Sequence, residues 1–334
     1  MRGLVRSLFV MVVCLVVPFD GRSEIRTVAF QGWDDCLELT NATARVVVAP
    51  AVGGRILHYS RDGGPNILWE DPRAKGETLA TVGRWFPVGG YQLDIGPELG
   101  NPPRHLPLWL GRYRAEKIDA VTVRVTSPQD EATGILLVKE IKLAPAGAGV
   151  SIRQTMKNVG QGDTAYCLWD RTLTPAGGYG FFELNPKSRF RARWSMRRGE
   201  RRAWRYDGVE PSSPRVRIVG GLLVTIPGEQ MEKVGGDCER GWVAGSRDSW
   251  LFVKRFPVQP AGDYADGGNR VEIYVDGRVT ELEPLSPKVR LAPGESYSFD
   301  ERWDLRRVEQ EVTGADDIPK LLHHVRQMAP LSEE

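Results

Sequence analysis

VEIYVDGRVTELEPLSPKVRLAPGESYSFDERWDL, residues 271–305, carries the clearest strand pattern in the chain. Val271, Ile273 and Val275 alternate with Glu272, Tyr274 and Asp276, which gives a strand one apolar and one polar face. Asp276-Gly277 then offers a hairpin turn, expected to occupy left-handed backbone positions. On the returning strand Glu281 and Glu283 stand two apart and project together, and Pro284 limits the ladder because it has no N–H to donate. A short strand through Val289 and Leu291 leads to a turn at Pro293-Gly294. After it Tyr297, Phe299, Glu301 and Trp303 alternate with Ser298, Asp300 and Arg302. Successive strands joined by tight turns predict an all-β protein.

Working outward, the composition agrees. The 334 residues include 37 Gly, 23 Pro, ten Trp, nine Tyr and ten Phe, which suits many short strands better than long helices. Upstream of the opening stretch, strands are expected at 121–126, 134–143, 150–157, 216–226 and 249–256, and a meander of short strands runs from Cys36 to Trp69. Residues 84–113 and 158–190 are dense in Gly, Pro and aromatics and read as two long loops of the kind that often carries sites. Downstream, Ile318, Leu321, Leu322, Val325 and Met328 have helical spacing. The expected layout is a leader over 1–23, one β domain over 24–310 and a helical tail over 311–334.

The leader reading rests on Arg2 and Arg6 ahead of an apolar run over 8–17, broken by Pro18. Ten helical residues span about 15 Å against roughly 30 Å of hydrocarbon, so a cleavable signal peptide and a secreted or periplasmic protein are expected, with no membrane span in the mature chain. Its removal takes 45 basic and 43 acidic residues to 42 of each. A globally neutral chain has no field for nucleic acid. Cys36, Cys167 and Cys238 remain, compatible with one disulfide of undetermined pairing or with buried thiols.

With those residues in view, the chain resembles the galactose-mutarotase-like supersandwich proteins of the aldose-1-epimerase superfamily, and especially the bacterial DUF4380 branch. LELTNATARVVVAPAVGGRILHYSRDGGPNILW is similar to the superfamily's first hairpins, Asn158-Val159-Gly160 to its central turn, and ELEPLSPKVRLAPGESYSFDERWDL to its closing acidic strand. The resemblance covers about residues 36–305. It implies a β-supersandwich of antiparallel sheets, a carbohydrate ligand, a late-strand Glu that takes the anomeric hydroxyl proton and a His that protonates the ring oxygen. Glu283 is the residue placed opposite that Glu, with Glu281 second, and His105 falls in the corresponding loop outside the usual His-Gly motif. Where a second His motif would stand, the chain has CLWDRTLTP, so Trp169, Asp170 and Arg171 occupy it.

The candidate catalytic residues are therefore Glu283, His105 and Asp170. Glu283 is either a base tuned by Glu281 or a solvated strand-face carboxylate. His105 is either a proton donor or an ordinary loop residue. Glu281, Arg171, Arg55, Trp85, Trp109, Trp169 and Tyr179 are the expected sugar-binding set, since aromatic faces stack on sugar CH groups and are also ordinary core material. Asp170 with Arg171 is read as a ligand-orienting pair, or as a loop salt bridge. The run from Arg189 to Arg205, RFRARWSMRRGERRAWR, is either a grip for an acidic polysaccharide or a solvated hairpin. Asp263, Asp266 and Asn269 lack EF-hand spacing and read as a plain turn, and no HExxH, P-loop, GxSxG or GxGxxG context appears, so neither metal nor cofactor is expected. The whole is expected to be a monomer that binds carbohydrate, with catalysis, or an envelope interaction role for the Arg-rich run, as alternatives.

Overall fold

The alternation in 271–284 folds as a hairpin. Val271–Val275 runs antiparallel to Val279–Pro284, with Ile273 opposite Leu282, Tyr274 opposite Glu281 and Glu272 opposite Glu283. The turn differs from expectation: neither Asp276 nor Gly277 has a positive φ. Asp276 Oδ1 instead accepts from the backbone N–H groups of Arg278 (2.7 Å) and Val279 (2.9 Å), and this side-chain acceptor shapes the turn without left-handed residues. The computed structural model describes residues 23–99, 104–200 and 203–328. The leader expected over 1–23 lies, apart from Ser23, outside the described residues.

This hairpin sits in a 12-stranded antiparallel sheet. Its path runs from Glu24–Phe30 through Trp33–Thr40, Ala44–Ala49, Arg55–Arg61, Tyr91–Gly96, Thr164–Pro175, Val279–Pro284, Val271–Val275, Glu232–Gly236 and Ser195–Arg198 to Arg205–Asp207, with Val289–Leu291 joined to Thr164–Pro175. A 10-stranded sheet faces it, ordered Val216–Val219, Leu222–Thr225, Tyr179–Glu183, Trp242–Arg247, Trp250–Arg255, Ser296–Arg307, Val150–Asn158, Ile135–Leu143, Thr122–Thr126 and Arg114–Lys117. Both loops expected from composition contain strands. Tyr91–Gly96 and Thr164–Pro175 are adjacent and near the middle of the large sheet. Their Gly- and Pro-rich flanks hid an alternation that YQLDIG plainly has.

The inner faces meet in an aromatic core. Trp303, fully buried, packs edge-on against Tyr91 of the opposite sheet (5.4 Å between ring centres) and against Phe252 (5.3 Å). Truncating such a residue to Ala costs about 3–5 kcal/mol. The same layer buries a charge cluster: Lys254 Nζ donates to Asp170 Oδ2 at 2.6 Å and lies 3.3 Å from Glu301 Oε2. The C-terminal segment is 3-10 over Ala315–Leu321, where Pro319 interrupts the ladder, and α only over Leu322–Gln327. Its buried Ile318, Leu321, Val325 and Met328 cover Phe181, Leu222, Val224 and Trp242 of the smaller sheet. Cys36, Cys167 and Cys238 are free, buried thiols, and burial pushes the Cys36 and Cys238 thiols up to about 12.

Candidate functional site

The outer face of the large sheet gathers polar side chains because alternate residues on each strand point that way. Gln92 lies opposite Arg171, Glu281 opposite Tyr274, and Tyr274 opposite Lys233. Arg55, from the strand beyond Gln92, donates to Gln92 Oε1 and to Gly89 O (2.9 Å). A row of six side chains, Arg55, Gln92, Arg171, Glu281, Tyr274 and Lys233, therefore crosses six strands. All but Lys233 line a cleft of about 200 Å³, walled by Trp69, Trp85, Phe86, Leu173, Asp276 and Arg278. Gly53, at φ +75°, helps shape its end, since a Cβ there would lie 2.2 Å from the Trp109 carbonyl oxygen. That close approach keeps Trp109 O 3.4 Å from Arg55 Nη2.

Arg55 is only 2% exposed and makes no ion pair among the described residues. Burial, and then the nearby Arg171, push its guanidinium down to about 9. Arg171 donates to Asp94 Oδ2 at 2.6 Å. Asp94 also accepts from His105 Nε2 at 2.6 Å. Burial would raise the Asp94 carboxyl, but Arg171 and His105 outweigh it and hold the group below the usual range. His105 is buried against the Trp109 ring (4.4 Å) and is not part of the cleft lining. It anchors Asp94, which in turn orients Arg171.

The two strand carboxylates have different surroundings. Glu283 is fully buried, and its Oε2 accepts from Trp169 Nε1 and from Lys233 Nζ, both at 2.7 Å. Lys233 also lies 3.1 Å from Glu272 and 3.3 Å from Glu98, and these carboxylates overcome burial to raise its ammonium above the usual range. Burial pushes the Glu272 carboxyl up to about 8 against the pull of Lys233. Glu281, by contrast, lines the cleft, and its carboxyl makes no hydrogen bond or ion pair with another described residue. Burial first, then the Glu283 charge, push it up to about 7, against Arg171 and Lys233. A carboxyl near neutrality and open to a ligand has the properties of a proton acceptor.

The expected residues thus divide. Glu281, Arg55, Arg171 and Trp85 meet in the cleft. Trp169 lies under it, with both Arg171 (4.7 Å) and Lys233 (4.5 Å) over its ring. Glu283 and His105 support the floor from buried positions. Asp170 does not join Arg171, because neighbours on a strand face opposite ways: it points between the sheets to Lys254. Tyr179 belongs to the smaller sheet and borders a separate pocket with Trp250 and Phe252. In the Arg-rich run, Trp194 is buried, Arg197 is paired with Glu98 (2.7 Å) over the Trp204 ring, and Arg189, Arg191, Arg193 and Arg205 are exposed. Asp266 accepts from the backbone N–H groups of Glu98 and Leu99, the role of a turn residue. Sequence reading missed Gln92, Asp94, Trp69 and Lys233. Gln92 and Asp94 were visible as same-face polar residues within YQLDIG.

The two large antiparallel sheets give the chain a galactose mutarotase-like fold. The chain is similar to galactose mutarotase-like proteins from Lactobacillus casei (11% identity, TM-score 0.56, 81% of this chain and 100% of that one) and from Clostridium acetobutylicum (10%, 0.56, 86% and 100%). It is also similar to a TPR-domain containing protein from Parabacteroides distasonis (11%, 0.56), covering 90% of this chain but spanning only 49% of the other's length. The chain belongs to the DUF4380 family, a domain of unknown function, which it matches over residues 101–306. No curated protein matches its sequence.

Proposed function

We propose that the cleft binds a carbohydrate and that Glu281 is its acceptor for a sugar hydroxyl proton. The observation that carries this reading is the Glu281 carboxyl itself, cleft-lining, without a hydrogen-bond or ion-pair partner among the described residues and pushed up to about 7. Trp85 and Tyr274 supply faces for sugar CH groups, while Gln92, Arg171 and Arg278 supply donors for hydroxyls. The mutarotase-like fold of the structural relatives supports the choice of ligand. The test is calorimetric titration of the full chain with a sugar panel, in wild type and Glu281→Gln. Binding weakened by about 10-fold or more in the variant is expected from loss of a charged acceptor. Absence of binding to any sugar would sink the reading.

A second reading, an enzyme of the epimerase kind, is favoured by the same value near 7. Glu281 would take the anomeric proton, but His105 is engaged with Asp94 behind the cleft, so a proton donor to the ring oxygen must come from another group. Polarimetric decay of a pure anomer, faster with wild type than with Glu281→Gln, would support it. Export of the chain is proposed on Arg2, Arg6 and the apolar run over 8–17. No helix of the described residues is long and apolar enough to cross a membrane. N-terminal sequencing of protein recovered outside the cytoplasm tests it.

A further inference from the structure

We infer that the sugar taken by this cleft is an acidic one, whose carboxylate or phosphoryl group is held by Arg55, Gln92 and Arg171. The inference rests on the carbohydrate reading above and narrows its substrate class.

Arg55 is the starting point. A buried guanidinium normally has a carboxylate beside it, because an uncompensated charge out of water is costly. Among the described residues Arg55 donates only to neutral acceptors: Gly89 O, Gln92 Oε1 and Trp109 O. The neighbouring donors are also unspent. Arg55 Nε, Arg171 Nε and Gln92 Nε2 are buried, and none has an acceptor among the described residues. The bond from Arg55 to Gln92 Oε1 fixes which end of that amide is occupied and leaves its NH₂ for something else.

All three side chains line one cleft. Three orphaned donors, two of them on guanidinium groups, call for a ligand rich in acceptors and carrying negative charge. A sugar hydroxyl brings its own proton, which must also be placed. A carboxylate or phosphate brings only acceptors and matches the planar fork of arginine.

The acids of the cleft do not already fill this need. Asp276 faces Arg278 at 3.2 Å. Asp94 is shared between Arg171 and His105. Glu281, pushed up to about 7, is partly protonated at neutral pH and compensates only part of the positive charge. The Arg55 end of the cleft is therefore cationic and the Glu281 end carries partial negative charge, so an acidic sugar has one preferred direction of entry.

The experiment is titration of the full chain with D-galactose, D-galacturonate and D-galactose 6-phosphate at low and moderate salt. At least one of the two acidic sugars is expected to bind about 10-fold more tightly than galactose or better, as charged hydrogen bonds imply. Which of them does so separates a carboxylate ligand from a phosphate ligand. In Arg55→Gln the ratio of acidic to neutral affinity should fall to about one. If that variant does not fold, the wild-type ratio still decides. Equal binding of all three sugars overturns this inference and leaves the carbohydrate reading standing, whereas no binding of any overturns both.

Discussion

Lys233 Nζ lies 2.7 Å from Glu283 Oε2, and this ion pair separates the roles of two carboxylates that stand only two residues apart. Glu281 and Glu283 share one face of one strand, and strand geometry treats them alike. The strand Glu232–Gly236 brings an ammonium to one of them, and Trp169 adds an indole N–H to the same oxygen. Glu283 is thereby committed to the protein's own structure. Glu281 is left facing the cleft.

The stability of Glu283→Gln and Glu281→Gln should therefore differ. Losing a charged, buried acceptor at 283 is expected to cost about 1–3 kcal/mol, moderated because Glu272 and Glu98 still face Lys233. Glu281→Gln should cost nothing and, above about pH 5, should leave the protein at least as stable as wild type, because it breaks no internal contact and removes a carboxylate whose ionised form the fold disfavours. Urea unfolding of the two variants checks this, and equal costs would remove the distinction drawn between them.

Glu281 also sets a pH dependence. Its folded value, about 7, stands above the ordinary 4.5, so the folded state holds a proton that the unfolded state has lost between those values. The stability from that proton is complete below about 4.5 and is lost as pH rises through about 7. Glu272, pushed up to about 8, acts with the same sign. Wild type is expected to lose melting temperature between about pH 5 and pH 8 more steeply than Glu281→Gln. Parallel profiles would contradict the assignment. Any proton-abstracting activity should rise with pH across the same window, since only the ionised carboxylate accepts a proton.

Lys254 should be among the most sensitive positions. Its side chain and those of Asp170 and Glu301 are 0% exposed, so Lys254→Met leaves two buried acids without their cation, at an expected cost of about 3–5 kcal/mol. Arg153→Met, at the solvent-exposed pair with Asp300, should cost no more than about 1 kcal/mol. Thermal melts of the two variants side by side give the comparison.

Trp85 is 47% exposed at the cleft wall. Trp85→Ala is expected to weaken sugar binding by about 3- to 10-fold, the scale of an aromatic contact, with little change in melting temperature. Tyr179→Ala, at the separate pocket, should leave sugar affinity unchanged. Calorimetry on both variants locates the binding face.

The strand pattern of the closing region was legible because alternation is local: Val271, Ile273 and Val275 specify their buried face within five residues. The same rule was present in Tyr91, Leu93 and Ile95, but Gly89-Gly90 and Gly96-Pro97 around them drew the segment toward a loop reading. In CLWDRTLTP the alternation that sends Asp170 inward and Arg171 outward was equally local, and it was lost once the segment was read as a loop.

By itself, then, the sequence determined the two-faced strands, the turns that join them and the presence of two acids on one late strand. These follow from side-chain direction and backbone preference over a few residues. Tertiary structure decided which acid is open to a ligand, where His105 points and which arginine has no ion pair among the described residues. Lys233, Trp169 and Asp94 settle those questions from strands 11 to 114 residues away. Burial, ion pairing and the direction of a carboxylate depend on neighbours across the sheet, and only the closed sheet brings those neighbours together.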